Sequence, residues 1–114
     1  MGISQKRKGY RGEKLWEEEC HKAGFDQVHR IGQQMYQVGS QVPDVAGLDG
    51  VHQEIKFVEK LNLRKAMAQS IQDAKAEGLN NVPIVAHKTS RQPWLVTMLG
   101  QDWLEMYRVW SMWR

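Results

Sequence analysis

Apolar and polar positions along the chain follow two different periods, and the changes from one to the other mark out its elements. Residues 11–23 put Leu15, Trp16 and Cys20 on one side of a helix, and Gly24 stands where that helix would stop. Residues 25–31 alternate as a strand. The run G-Q-Q-M-Y-Q-V-G-S-Q-V over 32–42 keeps no period and reads as a mobile loop. Two apolar-rich runs, 45–48 and 51–58, then flank Asp49-Gly50, a strong short-range hairpin signal. Asn62 is placed to cap a second helix with Leu63, Ala66, Met67, Ser70, Ile71 and Ala74 on one stripe, closed near Gly78. Its opposite face offers Lys65, Gln69 and Gln72. Residues 82–88 form a strand, Pro93 breaks a turn, residues 94–98 form another strand, and Asp102 is placed to cap a final helix. The order predicts an α/β domain, a central mixed β-sheet flanked by helices, with no internal repeat.

The chemistry concentrates in V-P-D-V-A-G-L-D-G-V-H-Q-E-I-K-F, residues 42–57. Asp44 follows a proline, and Glu54-Ile55-Lys56 comes ten residues later, across the expected hairpin. Side chains alternate along a strand, so Glu54 and Lys56 share one face while Ile55 and Phe57 take the other. Hard carboxylate oxygens bind Mg²⁺, which screens a phosphodiester and acidifies bound water. A lysine beside them supplies a point charge for the developing negative oxygen. This is the layout of a metal-dependent phosphodiesterase; the bland reading is a loop-fixing Asp44 and a solvated Glu/Lys strand face.

Composition and charge narrow the setting. With 114 residues, 41% hydrophobic and 25% charged, the chain has the material for one globular core. No apolar run approaches the roughly twenty residues that span a bilayer, so the expected setting is cytoplasmic, in a host's cytoplasm if the protein is viral, with no membrane partner. The single cysteine, Cys20, reads as a small buried hydrophobe. His21, His29, His52 and His87 show no ligand spacing, which argues against a zinc site. The net charge of +3 hides an asymmetry: Lys6, Arg7, Lys8, Arg11 and Lys14 stand against Glu13 alone in the first fourteen residues, which leaves the remainder net negative. Residues 1–10 therefore read as a basic arm suited to a phosphate backbone. Residues 11–98 make the core. In 99–114, Trp103, Met106 or Tyr107, Trp110 and Trp113 fall on or near one helical stripe that reads as core or a dimer interface.

Several motifs in order give the chain a family resemblance. K-G-Y-R-G-E-K-L resembles a K-G-x-x-x-E-R-E-L signature, H-K-A-G-F-D-Q-V-H-R a G-F-x-V-x-R strand, and G-S-Q-V-P-D-V-A-G a Gly-Ser preceding the motif aspartate. V-P-I-V-A-H-K and P-W-L-V resemble paired C-terminal strands with a basic residue and a tryptophan. Together these resemble the PD-(D/E)xK, or restriction-endonuclease-like, core. Within it the chain is similar to the archaeal-type Holliday junction resolvases, small dimeric endonucleases also carried by some bacteriophages.

The resemblance implies an Mg²⁺-dependent homodimeric endodeoxyribonuclease of DNA recombination, with Mn²⁺ able to substitute. Its partner is branched DNA, a four-way junction, with no small-molecule substrate. Asp44, Glu54 and the Ile55 backbone carbonyl would hold the metal, Glu13 would support it through water, and Lys56 would be the catalytic lysine. DNA contacts would come from Lys6, Arg7, Lys8, Arg11, Lys14, Arg30, Ser40, Lys88, and Gln69 or Gln72. Lys14 stands where the family usually has arginine, which removes a bidentate phosphate fork and keeps the charge. Extra residues between Arg30 and Gly39 depart from the family pattern. Two rivals stand beside this reading: a nuclease of the same core acting on flaps, single strands or linear duplex, and a non-enzymatic basic DNA-binding protein.

Overall fold

The computed structural model describes residues 3–31 and 44–114; the loop expected over 32–42, with Ser40, lies outside them. Helix α1 spans Ile3–Lys22 and begins well before Arg11. The difference has a simple cause. Gln5, Lys6, Arg7 and Lys8 are good helix formers that carry no apolar stripe, so periodicity overlooks them. The expected basic arm is thus the first part of α1. The helix ends before Gly24, whose φ of +98° turns the chain.

Strand β1, His29–Arg30, is much shorter than the alternation over 25–31 predicts. It pairs antiparallel with β2, Val45–Ala46, in the register His29↔Ala46 and Arg30↔Val45. Leu48 O then accepts from Val51 N at 3.1 Å, and Gly50 takes φ +83°, closing a tight turn around Asp49-Gly50. A turn forms there but not a hairpin. Among the described residues, β3, Val51–Phe57, pairs with β4, Val82–Lys88, in parallel along its whole length, and Gly50 O accepts from Val82 N. The crossover is α2, Leu63–Glu77, capped by Asn62, whose side chain accepts from Lys65 N, and closed by left-handed Gly78. Strand β5, Leu95–Met98, returns antiparallel to β4, giving a mixed sheet of order β3-β4-β5. Helix α3, Gly100–Ser111, follows Leu99, which occupies the cap position. Asp102 does not cap it. It lies in the first turn, where a carboxylate still favours the positive helix end.

The sheet is covered on both faces. Trp16 and Cys20 of α1 pack with Val28, Val45 and Ala86, against Ile55 and Trp94; Ala66 and Met67 of α2 pack with Val85. Adjacent β4 residues thus enter opposite cores, as strand alternation requires. Among the described residues nothing buried comes from α3, where Trp103, Tyr107, Trp110 and Trp113 are all exposed, so the aromatic stripe is no part of the core that they form. Among the described residues no helix is long and apolar enough to cross a membrane.

Gly12 brings α1 onto the sheet. A Cβ added there would sit 2.7 Å from Phe57 Cβ, which the β3 backbone holds in place. Gly12→Ala gains about 1 kcal/mol in helix propensity, whereas overpacking a tight contact costs about 1–3 kcal/mol. The contact wins. Thermal unfolding of Gly12→Ala is expected several degrees below wild type, and an unchanged or raised midpoint would show that α1 can move off β3 freely.

Candidate active site

Glu13 follows Gly12 on the part of α1 drawn tight against the sheet. Arg30 Nε donates to Glu13 Oε1 at 3.2 Å, the Arg30 guanidinium lies 3.7 Å from the Tyr10 ring centroid, and Arg30 N donates to Glu17 Oε2. Asp44 enters β2 beside them, and its carbonyl accepts from Ile31 N at 2.9 Å. Burial, then the negative charge of Asp44, push the Glu13 carboxyl from the usual range up to about 7, against the pull of Arg30. Two acids and one cation thus share a partly desolvated corner.

An acid whose folded pKa is raised binds its proton more tightly when folded, so its contribution to stability is present below its unfolded value near 4.5 and is lost as pH rises through about 7. Asp44→Asn removes a charge that raises Glu13. In the metal-free protein, carbon-13 NMR is therefore expected to find Glu13 titrating near neutrality in wild type and clearly lower in Asp44→Asn. Coincident titrations would separate the two carboxylates.

The other acid–base pair lies on β3. His52, Glu54 and Lys56 alternate onto the α2 side, and Gln53, Ile55 and Phe57 onto the α1 side, as the strand period requires. Lys56 Nζ is 3.6 Å from Glu54 Oε2. His52 is buried, with Nδ1 2.7 Å from Glu77 Oε2 and Nε2 3.8 Å from Glu54 Oε1. Burial alone would lower its pKa; the nearby carboxylates of Glu54 and Glu77 outweigh that and raise it. Gln69 Nε2 donates to both Asp73 oxygens, at 3.1 and 3.0 Å. Residues 69, 73 and 77 are one turn apart on α2, and Glu54, Asp73 and His52 each offer a ligand atom within 4.8 Å of the others. Gln69 and Gln72 are both exposed, and of the two Gln69 is the one bonded to Asp73.

The three expected acids and the lysine therefore fall into two pairs, Glu13 with Asp44 and Glu54 with Lys56. Ile55 lies between the latter, its side chain in the core under α1. Of the expected DNA-contacting residues, Arg11 stacks 5.7 Å from the Phe57 ring centroid, Lys14 is exposed, and Lys88 Nζ donates to Gln92 O at 2.6 Å and lies 6.0 Å from that same ring. Lys6, Arg7 and Lys8 belong to the first turns of α1. Cys20 is buried, and burial with the nearby Glu19 charge pushes its thiol up to about 11, so it is no nucleophile at neutral pH. The donors on hand are hard oxygens of the kind a divalent cation takes, and Glu13, raised first by burial and then by the charge of Asp44, lies where such a cation would relieve like-charge repulsion. Sequence reasoning set His52 aside with the other histidines and did not single out Asp73 or Glu77. A helical 69-73-77 stripe beside a 52-54-56 strand face was their available signal.

A mixed α/β sheet covered by helices on both faces, with acid–lysine alternation on one strand, is the architecture of a nuclease-like core. Among solved structures the chain is similar to that of Hjc from Archaeoglobus fulgidus, a Holliday junction resolvase from an archaeal hyperthermophile, with a TM-score of 0.58, 25% identity, and coverage of 79% of this chain and 76% of that one. The resemblance read from the sequence motifs is thus borne out by structure. No protein-family model matches the sequence, and no curated protein does.

Proposed function

We propose that the protein is a homodimeric, Mg²⁺-dependent endonuclease that binds four-way DNA junctions and resolves them by paired strand cleavage. The observation that carries this reading is the Glu54–Lys56 pair on β3, 3.6 Å apart, in a fold shared with a Holliday junction resolvase. Asp44, Glu54 and the Ile55 carbonyl hold Mg²⁺, with Glu13 supporting through water and Mn²⁺ able to replace it. The ion supplies charge screening and Lewis acidity toward a phosphodiester. Lys56 places a compact positive charge for the oxygen on which charge develops. Arg30, braced by Glu13 and by the Tyr10 ring, is preorganised to meet a phosphate, and Lys6, Arg7, Lys8, Arg11, Lys14, Ser40, Gln69 and Lys88 extend the contact along the backbone.

Symmetry supplies the pairing. A four-way junction presents two equivalent strands, and an isologous dimer presents two equivalent sites. The exposed Trp103, Tyr107, Trp110 and Trp113 of α3 offer an apolar surface for self-association, with Trp103 and Tyr107 already stacked at 5.6 Å. Light scattering is expected to give about twice the chain mass of 13.2 kDa. On a cruciform plasmid, wild type is expected to give linear product, and a heterodimer with one Asp44→Asn subunit mainly nicked circles. A monomer that cuts linear duplex as fast as a junction would replace this reading with a general nuclease.

A further inference from the structure

The two ring nitrogens of His52 have different surroundings. Nδ1 is held by Glu77 Oε2 at 2.7 Å. Nε2 has no hydrogen-bond partner, although the residue is only 3% exposed, and it faces Glu54 Oε1 at 3.8 Å. Asp73 completes the surroundings, with one ligand atom from each of the three residues within 4.8 Å of the others. Neither protonation state of the imidazole suits this geometry alone. A neutral ring donating from Nδ1 to Glu77 turns the Nε2 lone pair toward an anionic oxygen. A protonated ring has its second N–H too far from Glu54 for a hydrogen bond.

We propose that His52, Glu54 and Asp73 form a binding site for a transition-metal dication of the zinc class, which shares Glu54 with the carboxylate site proposed on Asp44 but uses neither Asp44 nor Glu13. Metal–ligand bonds of about 2.0–2.2 Å place neighbouring donors about 3–4 Å apart; here His52 Nε2 and Glu54 Oε1 are 3.8 Å apart, and the three ligand atoms lie within 4.8 Å of one another. One imidazole nitrogen and two carboxylates select Zn²⁺ over Mg²⁺, because imidazole suits the borderline metals and Mg²⁺ prefers oxygen alone. Outer contacts are already in place. Glu77 fixes the tautomer that leaves Nε2 free, and Gln69 orients Asp73, the kind of support that metal-binding histidines and carboxylates receive. Glu54 is common to this site and to its 3.6 Å contact with Lys56, so a bound zinc ion competes with that pairing. Zinc binding itself does not depend on the nuclease reading.

Calorimetric titration of the full metal-free chain with Zn²⁺, backed by the visible absorption of Co²⁺, tests the site. Wild type is expected to bind one ion per chain. His52→Gln and Asp73→Asn should each weaken binding by about tenfold or more, Glu77→Gln by about tenfold, and Asp44→Asn should bind as wild type does. Far-UV circular dichroism checks that each variant folds; half-buried Asp73 keeps the test decisive if His52→Gln does not. If Asp73→Asn binds Zn²⁺ unchanged, or if wild type binds none, the inference is wrong. Loss of binding in Asp44→Asn with retention in His52→Gln would also overturn it, placing the ion at the Asp44 site and leaving the proposed nuclease function standing.

Discussion

Asp44→Asn is expected to lower junction cleavage by about a thousandfold while leaving junction affinity within a few-fold of wild type. The substitution preserves shape and removes the charge with which the residue would hold the proposed ion, and Lewis-acid stabilisation is worth several kcal/mol, each 1.36 kcal/mol being about tenfold in rate. Glu54→Gln would act on the same proposed ion and is expected to fall as far. Lys56→Ala removes the cation beside Glu54 and is expected to cost about two to three orders of magnitude, comparable to losing one oxyanion donor elsewhere. Glu13→Gln, in a supporting role, should lose less. Binding is expected to persist in all four because the proposed phosphate contacts rest on other lysines and arginines rather than on these four residues. Filter binding beside cleavage on one labelled junction reads both quantities, and wild-type rates in Asp44→Asn would move the site elsewhere.

The largest effect on stability is expected from Trp16→Ala. Trp16 is 8% exposed, packs its ring 5.0 Å from that of Trp94, and donates from Nε1 to Gln53 Oε1 at 2.8 Å. Truncating a buried Trp costs about 3–5 kcal/mol. Gln53 is 2% exposed and its Nε2 already lacks a partner, so removing the indole N–H leaves the whole amide unpaired at a further cost of about 1–3 kcal/mol. Together these reach the scale of a small domain's entire stability, about 5–15 kcal/mol. Urea unfolding should therefore find Trp16→Ala marginal or unfolded at room temperature. Trp16→Phe keeps most of the volume and loses the hydrogen bond, so it should fall between; equality with wild type would show that the Trp16–Gln53 bond contributes nothing.

Much of this fold was legible because helices and buried strands advertise their periods. Asn62 and Gly78 bracket α2 as their chemistry requires, β4 runs over the expected residues, and Glu54 and Lys56 share a strand face. Failures came where pairing is non-local. Asp49-Gly50 makes its turn, yet Val51 pairs with Val82 rather than folding back on β2, because a seven-residue parallel ladder outweighs a two-residue hairpin partner. The site divides the same way. Asp44 and the Glu54–Lys56 alternation are sequence-local signals, whereas the approach of Asp73 and Glu77 to β3 depends on how α2 lies across the sheet. Histidine spacing along the chain argued against a metal role for His52; its neighbours come from another element. On α3, helical periodicity revealed the aromatic stripe, but periodicity alone does not say what covers it, and among the described residues it stays exposed.

The central claim is junction-selective, metal-dependent cleavage, and the most direct measurement is a cleavage assay on a synthetic four-way junction beside linear duplex, flap and single-strand substrates of the same sequence, with Mg²⁺ and with chelator. The account predicts paired symmetric cuts in the junction with Mg²⁺, little cutting of the other substrates, and none in chelator. Binding to the junction without cleavage under any divalent ion, or equal cutting of linear duplex, would contradict it.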